Sequence, residues 1–167
     1  MSHETREFMG SATTDFALQA EQPIRRWAAL AAAIGFSAIA IFQCALALGA
    51  PFGRASWGGT YEQLPSSLRI ASAVAVGIWL LATWIVLRRA GFRVGSLVPL
   101  PAAFASWGTW ALVGMLPLAA LLNFASSSQW ERFLWGPLSL TLAVLCFLLA
   151  RSGGTIRRQR QPDTRTR

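Results

Sequence analysis

A chain of 167 residues is about the size of one domain, but only 13% of these residues are charged and 54% are apolar. A water-soluble domain carries about a quarter charged residues, so an ordinary hydrated surface is excluded. The formal charge of +8 comes from fifteen arginines and no lysine. They sit between or beyond the apolar runs, which marks membrane boundaries and argues against a nucleic-acid partner.

Residues 1–24 are polar and of mixed charge, apart from Phe8-Met9 and a short amphipathic piece at 16–18. They lack the apolar core and small-residue cleavage site of a signal peptide. The expectation is a mostly disordered cytoplasmic tail. Residues 25–151 form the predicted transmembrane domain, with spans near 27–49, 70–87, 97–122 and 133–150. The first is free of charge over 23 positions, longer than the roughly 30 Å of hydrocarbon requires. In lipid the backbone must satisfy its own polar groups, and barrel-like alternation is absent, so each span is a helix. Pro99 and Pro101 suit the start of the third helix, and Pro117 predicts a kink inside it. Residues 152–167 are Arg-rich, contain Gly153-Gly154 and Pro162, and read as a second disordered cytoplasmic tail.

The fold class expected is all-α membrane, an up-down bundle of four transmembrane helices with both ends inside. Arg25-Arg26, then Arg88, Arg89 and Arg93, then Arg151, Arg157, Arg158 and Arg160 fall on one side. The other two loops carry Arg54, Arg69 and Arg132, partly balanced by Glu62 and Glu131. Short cytoplasmic loops are the Arg-rich ones. Ala29, Ala33 and Ser37 recur every four residues, and Gly35, Gly77 and Gly114 are further candidates for close helix contact.

Several chemistries are unsupported. The single His3 lies in the first tail, so no haem ligand set is expected. Cys44 and Cys146 lie within spans without redox spacing and read as small packing residues. No span holds Asp or Glu, which disfavours a proton-coupled transporter. No metal site, cofactor or catalytic set is predicted; Glu131 alone is a weak acid–base candidate.

Chemistry concentrates in the two outer loops. Loop one holds Arg54, Trp57, Gly58-Gly59, Tyr61, Glu62 and Arg69; loop three holds Asn123, three serines at 126–128, Glu131, Arg132 and Trp135. Two readings stand side by side. In one, ion pairs cap the bundle and the aromatics form an interfacial belt. In the other, the loops make a pocket for an anionic or amphiphilic ligand such as a lipid, with arginine forks holding a phosphate or carboxylate. The expected partners are membrane lipids, a membrane-protein partner or a second copy. The corresponding activities are binding at the loop cap, service as an accessory subunit of a larger complex, or transport as a small oligomer. The inner arginines read as topology determinants and as a surface attracted to anionic lipid.

Four patterns carry a resemblance: Leu48-Gly49-Ala50-Pro51 with Gly53; Trp57-Gly58-Gly59; Leu64-Pro65 followed by Leu68-Arg69 and Ser72; and Asn123-x-x-Ser126-x-Ser128-x-x-Glu131-Arg132-x-x-Trp135-x-Pro137. Over roughly residues 25–150 the chain resembles an uncharacterised family of small bacterial four-helix membrane proteins. The resemblance implies a four-span layout in a bacterial inner membrane and two outer loops acting together. It implies no mechanism.

Overall fold

The computed structural model describes residues 3–92, 94 and 101–152, with side chains from residue 23 onward except Ala102. Four helices dominate: α1 (His3–Ala47), α2 (Ser66–Arg89), α3 (Ala102–Ala125) and α4 (Gly136–Ser152). Two 3₁₀ turns, Gly53–Ala55 and Trp57–Gly59, occupy the α1–α2 loop, and a π-helical turn, Glu131–Trp135, leads into α4. The four apolar segments run over 22 to 25 residues. At 1.5 Å per residue each reaches about 33–37 Å, enough to cross a bilayer. Among the described residues there is no strand. The chain is a four-helix, all-α bundle built to span a membrane.

The helices follow one another around a ring: α1 packs chiefly on α2, α3 on α4, and the remaining sides are closed by α1 on α4 and α2 on α3. Short connections between antiparallel neighbours favour this order. Small side chains bring the backbones together. Ala28, Ala29, Ala32 and Ala33 bury one face of α1, and Phe36, Val86, Leu116, Leu142, Cys146 and Leu149 fill the centre. Gly35 lies under Leu142, Gly108 under Ile85 and Gly136 under Phe124, each where a methyl group would collide. Gly77 and Gly114, expected to serve the same way, meet open space instead. They sit on outward faces, as Gly can when a helix is satisfied without it. Cys44 is likewise exposed, against the expectation for a packing residue, whereas Cys146 is buried.

The helix ends explain the loop geometry. At α1 the Ala50 N–H donates to Ala45 O and the Gly49 N–H to Leu46 O, both at 3.0 Å. At α2 the Phe92 N–H donates to Leu87 O (3.1 Å) and the Gly91 N–H to Arg88 O (3.0 Å). These paired bonds are the Schellman motif, and both central glycines take the positive φ it needs. Helix α1 extends back to His3, with Pro23 inside it, where a disordered tail over 1–24 was expected. A formed span needs no new nucleus to lengthen, and residues 17–22 (Ala-Leu-Gln-Ala-Glu-Gln) are good helix formers. Pro101 does precede α3, and Pro117 lies inside α3 without ending it. Arg93, Pro99 and the predicted tail at 153–167 lie outside the described residues.

Candidate functional site

The two outer loops close on each other through the backbone. Ser128 Oγ donates to Arg54 O at 3.0 Å, Ser127 Oγ to Gly58 O at 3.1 Å, and the Trp135 indole N–H to Ala55 O at 2.7 Å. The reciprocal bond runs from the Gly58 N–H to Glu131 Oε1 at 2.9 Å. Ser126 donates its hydroxyl proton to Glu131 Oε2, and Ser126 Oγ accepts the Ser128 N–H at 3.1 Å. One carboxylate, two hydroxyls and one indole therefore fasten loop one to the segment that leads into α4, with Ser126 bracing the carboxylate.

Loop one must bend sharply to present these groups. Trp57, Gly58 and Gly59 all have positive φ, of 52°, 79° and 73°. Glycine adopts this region freely, whereas at Trp57 it costs energy and has to be held. The hold is the Trp57 indole N–H, which donates to Ser72 Oγ at 3.2 Å, a buried hydroxyl on α2. At Gly59 a side chain would run into Ser128 Cβ and Arg54 O at 3.0 and 3.1 Å. The loop can approach α4 only with hydrogen at that position.

Beneath this cap lies a cavity of about 420 Å³. Its floor and walls come from all four helices: Ile39, Phe42 and Gln43 on α1, Trp79 on α2, Leu122 and Asn123 on α3, and Ser139 on α4. Trp57, Gly58, Glu131 and Trp135 of the interlocked loops complete it. The Phe42 and Trp135 rings lie 4.8 Å apart, and Trp79 stacks on Phe36 at 5.6 Å. The indole protons of Trp57 and Trp135 are already engaged with Ser72 and Ala55. Asn123 Nδ2 donates to Ser139 Oγ at 3.4 Å, tying α3 to α4. Gln43 Oε1 is buried and meets no hydrogen-bond donor among the described residues. A buried acceptor left unmet costs about 1–3 kcal/mol. Walls that are aromatic and aliphatic, with a few convergent polar groups, are the composition of a small-molecule site.

The predicted site residues divide. Trp57, Asn123, Glu131 and Trp135 meet at the cavity; Arg54, Tyr61, Glu62, Arg69 and Arg132 do not line it. Arg54 and Glu62 form a loose pair at 3.9 Å with side chains 75% and 71% exposed, which adds little stability. Arg69 donates through Nε to Ala47 O at 3.0 Å, finishing α1, and borders a separate shallow hollow of about 270 Å³. Arg132 donates to Ser126 O at 2.8 Å within its own loop. Tyr61 is exposed. An arginine clamp for an anion is not built at this cavity, because no guanidinium lines it. Ion pairing does not hold the cap either; serine hydroxyls, the Trp135 indole and one carboxylate do.

Loop three also ends earlier than its sequence indicates. Glu131 and Trp135 belong to the π-helical turn, not to an irregular loop. The wider turn rotates both side chains toward the cavity, a role such turns often have. The cavity residues that sequence reasoning passed over, Phe42, Gln43, Trp79 and Ser139, lie inside the apolar runs. Gln43 had a visible signal, since it is the one amide in the first span. Of the span hydroxyls, Ser72 and Thr109 are fully buried and Thr83 is half-buried, and Thr109 Oγ1 donates to Ala105 O at 2.7 Å. Among the described residues no cluster of His, Cys, Asp or Glu is able to hold a metal ion. Comparison with family models, curated proteins and solved structures finds no match for this chain.

Proposed function

We propose that the protein is a multi-pass component of a bacterial inner membrane, with both termini cytoplasmic, which holds an amphiphile beneath its extracytoplasmic cap. The observation carrying this reading is the aromatic cavity of about 420 Å³ in which one carboxylate and one unmet amide oxygen converge. Glu131 has no cation within ion-pairing distance among the described residues. Both atoms are acceptors, and Glu131 brings the one formal charge among the lining residues. They favour a head that donates hydrogen bonds or carries positive charge, an amine or hydroxyl, over the anionic head expected from the loop arginines. Trp57, Trp79 and Trp135 offer faces to a cation, and Ile39 and Leu122 suit an alkyl chain. The asymmetric arginines support the orientation.

The test uses tryptophan quenching. The full chain, in nanodiscs of neutral lipid, is titrated with a bromine-tagged long-chain amine and with the matching fatty acid. Saturable quenching by the amine is expected, weakened about tenfold in Glu131→Gln, as loss of a charged acceptor predicts. Gln43→Leu keeps every loop contact and should weaken the amine without loosening the cap. Equal, unsaturable quenching by both probes would refute the reading.

A further inference from the structure

The end of the bundle opposite the cap concentrates positive charge where three helices meet. Arg25 of α1 donates through Nη2 to Ala90 O, just past α2, at 3.1 Å. Arg89 of α2 donates through Nη2 to Ala150 O, in the last turn of α4, at 2.9 Å. Each arginine thereby satisfies an orphan carbonyl at the end of a neighbouring helix. Arg25 thus reaches the residue next to Arg89, so the two guanidiniums share this end of the bundle. Arg88, beside Arg89 at the end of α2, adds a third charge.

These side chains are only partly used. The Nε–H groups of Arg25, Arg88 and Arg89 are all buried and meet no acceptor among the described residues. Of the acidic side chains described, Glu62 and Glu131 both belong to the opposite end of the molecule. Arg26 is engaged differently, its guanidinium 4.9 Å over the Phe92 ring. Among the described residues, these three buried donors of like charge, beside helix ends already capped, meet no acceptor that also neutralises them. Water supplies the first and not the second.

We propose that Arg25, Arg88 and Arg89 form a binding site for a phosphate group at the cytoplasmic membrane face. A phosphate presents several strong acceptor oxygens with its charge, which suits multiple guanidinium donors better than a lone carboxylate does. The depth, at the end of a span, fits the phosphate of an anionic lipid; the same chemistry takes free phosphate. This site is independent of the amphiphile cavity.

Thermal unfolding of the full chain, followed by tryptophan fluorescence, tests it in two arms. One compares nanodiscs of phosphatidylcholine with nanodiscs in which part of that lipid is replaced by phosphatidylglycerol. The other adds inorganic phosphate to the phosphatidylcholine sample against sodium chloride of equal ionic strength. A rise of several degrees in at least one arm is expected. A response to phosphatidylglycerol alone assigns the lipid; a response to phosphate assigns the free ion as sufficient. Arg88→Gln caps no helix among the described residues and should weaken the response about tenfold, while Arg26→Gln leaves it unchanged. Three results overturn the proposal: wild type responds in neither arm, Arg26→Gln loses as much as Arg88→Gln, or a phosphate response appears only in Glu21→Gln. The last would mean that the chain's own carboxylate, four residues before Arg25, fills the site.

Discussion

Trp135 joins the two halves of the cap with a single proton. Its indole N–H is the donor to Ala55 O, while its ring packs on Phe42. Trp135→Phe keeps an aromatic wall and removes the donor, leaving a carbonyl unmet. The expected cost is about 1–3 kcal/mol, read as a fall of a few degrees in the unfolding midpoint in mild detergent. An unchanged midpoint would mean that water replaces the indole and that the loops dock by other contacts. At this scale the sequence was informative in parts. Aromatic and charged residues in the outer loops stood out from their apolar flanks, and Trp57, Asn123, Glu131 and Trp135 do meet. The direction of the arginines was not legible, because a guanidinium reaches a carbonyl as readily as an anion. Arg69 and Arg132 chose carbonyls supplied by Ala47 and Ser126, whose availability depends on where helices and loops end.

Among the helices, glycine position decides how closely two backbones approach. Gly35 sits against Leu142, whereas Gly77 has nothing within reach. Gly35→Leu should overpack the α1–α4 contact by about 1–3 kcal/mol. Gly77→Leu, on an open face, should stay within about 0.5 kcal/mol. Parallel denaturation of the two variants in mixed micelles measures the difference; equal losses would remove the distinction drawn between these faces. Hydropathy made the four spans legible because length and apolarity are summed over twenty residues, so local errors cancel. Which glycines face inward was not, since the runs are apolar all round and give no face a preference. The start of α4 was hidden for a related reason. A π-helical turn has the composition of an ordinary helix, and Glu131 and Arg132 looked like a loop boundary.

For the molecule as a whole, the proposed orientation rests on the asymmetry of the arginines. A cytoplasm-active reporter fused after Ser152 should work, and the same reporter inserted at Thr60, in the loop between the 3₁₀ turns and α2, should be silent. The reverse pattern would invert the orientation and place the arginine site outside. The two ends of the bundle thus differ in what they present: acceptors and aromatic rings at one, unspent donors at the other. The manner in which the cap is fastened has a consequence for how the protein tolerates change. Loop one is gripped by its main chain, at the carbonyls of Arg54, Ala55 and Gly58 and the amide of Gly58. Every residue type supplies a carbonyl. Side chains at 54 and 55 are therefore free to be rewritten for a new ligand or surface while the lid keeps its seat, and the demand for particular chemistry falls on the serines, the indole and the single acid across from it.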